Sequence, residues 1–189
     1  MDSRDFDALE REATRRMPPG AAAFAMCGAD DEITTAENVT AWRALRLRPR
    51  VLRDISHIDT GTTVLGQSLA TPLMIAPMGR HKAYHPEGEA ATARGAAAAG
   101  AGFVEPTNAT VGIEDVARQR GAAPQWFQLY MPPDVSLREE LVRRVEAAGY
   151  CAIMLTVDQP LGGQSPRAAR EPIPPSSDVN CFSTPSRSR

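Results

Sequence analysis

Four side chains with usable polar chemistry stand where apolar runs end. Gln128 and Tyr130 close the run Trp126-Phe127-Gln128-Leu129-Tyr130, and Thr156 and Asp158 close Ala152-Ile153-Met154-Leu155-Thr156-Val157-Asp158. An amide and a hydroxyl both donate and accept hydrogen bonds, whereas an ionised carboxylate only accepts. Both runs have the aromatic and aliphatic composition of buried strands. In parallel α/β proteins ligands sit at the C-terminal ends of strands, so polar groups placed there are candidate ligand contacts. A core strand whose Gln128 and Tyr130 satisfy each other or the backbone fits the same residues, and Thr156 and Asp158 fit a simple loop cap.

Other chemistry-bearing residues read as structural. His85-Pro86-Glu87-Gly88-Glu89 has the types of an acid/base or metal cluster, but also those of a helix N-terminus with acids on its dipole. His57, His81 and His85 lack metal-ligand spacing beside Cys or carboxylates, so no metal site is expected. Cys27, Cys151 and Cys181 form no CxxC pair. An odd thiol count and the polar start Met1-Asp2-Ser3-Arg4-Asp5, unlike a secretory signal, favour reduced thiols in the cytoplasm.

The elements that must position these groups fall in order along 189 residues, enough for one domain or part of a larger one. A net charge of −2 gives no footprint for nucleic acid, and no apolar run approaches the ~18 residues of a membrane span. Residues 4–17 carry Phe6, Leu9 and Ala13 on one helical face, and Pro18-Pro19-Gly20 stops them. A small-residue helix follows, then Thr35 is placed to cap another helix holding Asn38, Ala41 and Trp42. Residues 48–52 and 62–66 look extended.

From Pro72 strands and helices alternate. Strands are expected at 73–76, 102–105, 125–130 and 152–157. Helices are expected from Pro86 to Gly100, from Ile113 to Arg120, and from a Ser136–Glu139 capping box to Gly149. Such alternation demands a parallel sheet with right-handed crossovers, open or part of a barrel. Residues 159–189 hold Pro160, Pro166, Pro172, Pro174, Pro175 and Pro185 among Ser and Arg, the composition of a disordered tail.

The chain resembles the FMN-dependent α-hydroxy-acid oxidase/dehydrogenase family. The matching text is Gly28-Ala29, Asp31, Glu37-Asn38, Leu47-Arg48-Pro49-Arg50-Val51-Leu52, Thr62-Thr63, Leu65-Gly66 and Ile75-Ala76-Pro77. It continues with His85-Pro86-Glu87-Gly88-Glu89, Ala91-Thr92-Ala93-Arg94, Phe127-Gln128-Leu129-Tyr130, Ala147-Ala148-Gly149-Tyr150 and Leu155-Thr156-Val157-Asp158. The blocks keep the family's order over residues 20–160, and their conjunction is specific where each alone is weak.

The resemblance implies a TIM-type (β/α)8 barrel, of which this chain covers about the first four βα units plus N-terminal helices. It divides the chain into a helical and extended cap at 1–71, a half barrel at 72–158 and the tail at 159–189. It implies FMN held by the backbone of Pro77, Met78 and Gly79 and by Thr107, Gln128 and Thr156. Tyr130 and Phe24 would line the substrate site, and Asp158 would orient a catalytic His that lies outside this chain. The implied reaction takes a small 2-hydroxy acid to the 2-oxo acid, with no nucleic-acid or membrane partner and a homo-oligomer as the full-length assembly.

This sequence departs from the family pattern at four places. Phe24 stands where Tyr is common, which tilts the substrate toward an aryl hydroxy acid, as in the mandelate-type branch. Met78-Gly79 replaces a Thr-Ala type pair. Glu105-Pro106-Thr107 replaces Leu-Ser-Thr or Leu-Ser-Ser text, losing a hydroxyl and an N–H at Pro106. After Asp158 the family's paired Arg and Arg-Asn-x-Phe segment are replaced by Gln159-Pro160-Leu161-Gly162-Gly163-Gln164-Ser165-Pro166. A whole barrel needs ~250 residues, so the reading frame is expected to be truncated, with a frameshift near residue 162 as its origin. The alternative expectation is a non-catalytic half-barrel remnant or subunit that needs a partner to supply the missing half.

Overall fold

A computed structural model describes residues 5–158 and 163–173. The chain divides into two units, one holding residues 5–59 with 163–173 and the other residues 60–158.

The first unit is helical. Asp5 caps α1 (Phe6–Arg16) by accepting from the Ala8 N–H at 2.8 Å. Glu12 pairs with Arg15 and Arg16 one turn on, and their hydrogen bonds hold its carboxyl down at about 2. The apolar face expected of α1 is present in sequence, yet Phe6 remains three-quarters exposed. Pro19 opens α2 (Pro19–Met26), where a missing N–H costs nothing. Helix α3 (Ile33–Ala44) starts earlier than expected, after Glu32 in the left-handed region, so Thr35 lies inside the first turn instead of capping it.

Part of the expected disordered tail is ordered. Ser165 caps α7 (Pro166–Arg170), and Arg167 pairs with Glu32 at 3.0 Å and donates to the Met26 carbonyl. The rest of the tail, with Cys181, lies outside the described residues. Residues 48–52 form no strand.

The second unit begins with an antiparallel hairpin, β1 (Thr62–Val64) and β2 (Gln67–Leu69), turning at Leu65-Gly66. The expected extended segment is thus a hairpin, and β2 was not foreseen. Four parallel strands follow in the spatial order β3-β4-β5-β6: β3 (Met74–Ile75), β4 (Gly102–Glu105), β5 (Gln125–Leu129) and β6 (Ala152–Leu155). Helices α4 (Gly88–Ala98), α5 (Ile113–Ala117) and α6 (Val135–Ala147) connect them. Gly100 and Gly149 follow α4 and α6 at φ of 67° and 80°, the left-handed stop that a Cβ disfavours.

Strand alternation splits the sheet's side chains between two faces. Phe127 and Leu129 pack on the helix side with Ile113, Leu141 and Val145, while Phe103 packs with Ala93, Ala96 and Val116. Helix α6 is capped by Asp134, whose Oδ1 accepts from the Ser136 and Leu137 N–H groups, so the N-cap lies two residues upstream of the box expected at Ser136–Glu139. Strand β6 is different: Ile153, Met154 and Leu155, which alternate between its faces, are all exposed. Among the described residues only β5 pairs with it.

Candidate functional site

Side chains on the other face of β5 meet at its C-terminal end. Gln128 is buried, its Nε2 donating to Thr156 Oγ1 at 2.7 Å and its Oε1 accepting from the Thr107 N–H at 3.1 Å. The Thr107 hydroxyl donates to the Gln128 carbonyl at 2.5 Å and accepts from the Tyr130 N–H at 2.9 Å. Three strand ends, those of β4, β5 and β6, are thereby tied into one polar cluster.

The loops after β3 and β4 are tied to each other. The Arg80 N–H donates to the Asn108 carbonyl at 2.9 Å, and Lys82 N–H to Thr110 Oγ1 at 3.0 Å. A Cβ on Gly79 would lie 3.2 Å from that Asn108 carbonyl, so the close approach suits glycine. The fully buried Glu89 carboxylate accepts from the His81 N–H, the Thr110 N–H and the Thr110 hydroxyl at 2.9, 3.0 and 2.8 Å. His81 itself is buried against Phe103, and Nδ1 meets Thr92 Oγ1 at 2.9 Å. Burial pushes its pKa below the usual histidine value, against opposing pulls from Glu89 and the Met78 backbone. A cavity of about 600 Å³ beside this loop is lined by Ile75, Ala76, Pro77, Met78, His81 and Tyr84, among others.

Behind β4 lies a second buried polar group. Tyr150 donates to the Glu105 carboxylate and approaches the Ile113 carbonyl at 3.1 Å. Burial, and then the negative Glu105, push its phenol far above the ordinary range, so it stays protonated. Arg144 grips Glu114 through Nε and Nη2 at 2.8 and 3.0 Å and lowers that carboxyl's pKa.

Of the residues the sequence singled out, Thr107, Gln128, Tyr130 and Thr156 come together, while Pro77 and Met78 line the cavity beside His81 and Gly79 follows them against Asn108. Thr107 is buried with its hydroxyl committed to β5 backbone. Asp158 is exposed after β6, and Phe24 is half-exposed on α2 in the other unit. Glu89 and Thr110 were not foreseen as organisers of the Pro77 loop. Their signal was present, since Glu89 is a carboxylate within an otherwise small-residue helix face.

The cluster fits a planar, polar-edged ring such as a flavin. After its two contacts, the Gln128 amide keeps one N–H and one lone pair, and Thr156 keeps its O–H. Such a set matches an edge where donors and acceptors alternate.

A parallel βα sheet whose polar cluster sits at the C-terminal strand ends defines the ligand site of an α/β barrel protein. The family description FMN-dependent dehydrogenase matches residues 13–188, and the chain belongs to that family. The match runs through most of the stretch read as a tail. The chain is 42% identical over 159 residues to human 2-Hydroxyacid oxidase 2, covering 84% of this chain and 44% of that protein. It is 47% identical over 150 residues to the L-lactate oxidase of Nostoc sp., covering 78% and 41%. A lactate oxidase structure from Pediococcus acidilactici superposes with a TM-score of 0.89 at 32% identity, over 95% of this chain and 50% of that one. A mandelate oxidase structure does so with a TM-score of 0.86 at 35% identity, over 93% and 54%. The chain thus spans about half the length of the relatives it matches, and its parallel sheet corresponds to part of a TIM-type barrel.

Proposed function

We propose that this chain is the FMN-binding half of an enzyme that oxidises a 2-hydroxy acid to the 2-oxo acid. The observation that carries the reading is the Gln128–Thr156–Thr107 cluster at the strand ends. Gln128 and Thr156 would hold the polar edge of FMN, and Pro77, Met78 and Gly79 would face the ring. The bound cofactor supplies a two-electron acceptor for the hydride leaving the substrate α-carbon. Tyr130 would orient the substrate carboxylate or hydroxyl. Asp158 would stabilise the protonated form of a His outside this chain that takes the hydroxyl proton. Phe24 supports an aryl hydroxy acid as substrate. The relatives' names, lactate, 2-hydroxyacid and mandelate oxidases, support the substrate class. Free thiols at Cys27 and Cys151 support a reducing location, the cytoplasm. No described helix is long and apolar enough to cross a membrane.

The test is the visible spectrum of purified chain with added FMN. A protein-bound flavin spectrum, bleached by mandelate or lactate without oxygen, is the expected result. Bound flavin without bleaching would remove the catalytic claim for the chain alone.

A second reading, a half barrel that works only with a partner, is favoured by the exposure of both faces of β6. It expects FMN binding and bleaching only on co-expression with the C-terminal half of a relative.

A further inference from the structure

The β4–β5 ladder pairs Phe103, Val104 and Glu105 with Gln125, Trp126 and Phe127. The odd residues of β4 face β5, since the Phe103 N–H donates to the Pro124 carbonyl while the Gly102 N–H turns the other way to Leu73. Thr107 is therefore the next ladder residue after Glu105, and its N–H goes to the Gln128 side chain instead. Beyond that point two backbone groups of β5, the Gln128 carbonyl and the Tyr130 N–H, need partners. Both find one atom: Oγ1 of Thr107, at 2.5 and 2.9 Å. One buried hydroxyl therefore takes the two β5 backbone groups that come next in the ladder.

The same residue acts on the Gln128 side chain. The Thr107 N–H can only donate, so it selects the oxygen end of the amide, at 3.1 Å. The nitrogen end is then left to the Thr156 hydroxyl oxygen at 2.7 Å. A flipped amide would set two donors against each other at Thr107. Thr107 is 1% exposed, which leaves it little surface for a ligand.

We propose that Thr107 is a positioning residue. By extending the β4–β5 ladder past Glu105, its hydroxyl fixes where Gln128 and Tyr130 stand and so in what order the Gln128 amide offers its donor and acceptor to FMN. The proposal rests on the FMN reading above, and it moves Thr107 from the contacts of the cofactor to the support behind them.

The experiment compares Thr107→Val, which removes the hydroxyl at constant shape, with Thr107→Ser, which keeps it, in the full chain. Without ligand, the Tyr130 amide proton and the Gln128 side-chain amide protons are followed by hydrogen exchange. Both stay protected in the wild type and in Thr107→Ser, and exchange about tenfold faster or more in Thr107→Val, the scale of one lost buried hydrogen bond. FMN affinity, read by quenching of flavin fluorescence, falls about tenfold in Thr107→Val and is kept in Thr107→Ser. In a Gln128→Ala background Thr107→Val has little further effect on affinity, because the two act as one unit.

Unchanged exchange in Thr107→Val would overturn the proposal. So would an affinity loss of equal size with and without Gln128, or a lower melting temperature with unchanged affinity, both of which describe a merely structural residue. If the wild type takes up no FMN, the FMN reading fails, and the exchange rates alone decide whether Thr107 holds Gln128 and Tyr130.

Discussion

The carboxylate of Glu89, on α4, accepts the backbone N–H of His81 at 2.9 Å, eight residues upstream. That bond makes a helix hold the loop that follows β3. Because Glu89 also takes the Thr110 N–H and hydroxyl, it joins the loops after β3 and β4 through one buried side chain.

Glu89→Ala would leave three buried donors without their acceptor, at roughly 1–3 kcal/mol each before relaxation. We expect a loss of at least about 3 kcal/mol, and a smaller loss for Glu89→Gln, which keeps one acceptor oxygen. Urea unfolding midpoints at constant m-value measure both. Equal stability for Glu89→Ala and wild type would show that the loops hold without it.

His81 sets a pH dependence of definite sign. Burial lowers its folded pKa below the unfolded value of 6.5, so below that pH the unfolded chain binds a proton that the folded chain resists. Stability is therefore unaffected by His81 above about 6.5 and declines as pH falls from there toward the lowered folded pKa. His81→Gln keeps an amide for Thr92 and removes the titration. The stability difference between wild type and variant should be level above neutrality and shift toward the variant on acidification. A wild-type advantage that grows with acid would mean the proton is favoured in the folded state.

Tyr150 and Glu105 are expected to be coupled. Tyr150→Phe keeps the edge-on contact with Phe127, whose ring centroid lies 6.1 Å away, but strips a donor from a fully buried carboxylate. A loss of about 1.5–3 kcal/mol follows. Replacing Glu105 by Leu in that variant should return much of it, since an apolar pair tolerates burial better than a carboxylate that has lost a donor. Additive losses in the double-mutant cycle would count against the pairing.

How far the sequence reached depended on which forces decide each element. Strand Gly102–Glu105 and the Gly100 and Gly149 helix stops follow from local composition and backbone freedom, and the structure has them where expected. The cap of α6 moved to Asp134 because two acceptors compete locally and propensity does not rank them. Strand β2 escaped because Gln67-Ser68-Leu69 has no apolar alternation, and its pairing comes from the Leu65-Gly66 turn. At the site, Gln128, Thr156 and Tyr130 were legible as polar residues ending apolar runs. The function of Thr107 was not, since a hydroxyl that serves backbone atoms 21 and 23 residues away leaves no local pattern. Glu89 was read as an acid on a helix dipole, because sequence shows its position on α4 and not the loops above it.

The last expectation concerns the edge at β6. Among the described residues it pairs with β5 alone, and Ile153, Met154 and Leu155 stand 41%, 38% and 48% exposed. Unpaired strand edges with apolar faces template pairing with another chain, and a Lys on such an edge blocks it. Ile153→Lys with Leu155→Lys should therefore lower self-association of the chain, seen by light scattering and by a later elution on size exclusion. The Phe127 and Leu129 core on β5 lies on the neighbouring strand, so the far-ultraviolet circular dichroism should be retained. The same pair of lysines should also prevent any rescue of flavin binding by a co-expressed C-terminal half, because both partners would need that edge. Rescue that survives the substitutions would place the partner elsewhere and leave β6 exposed for another reason.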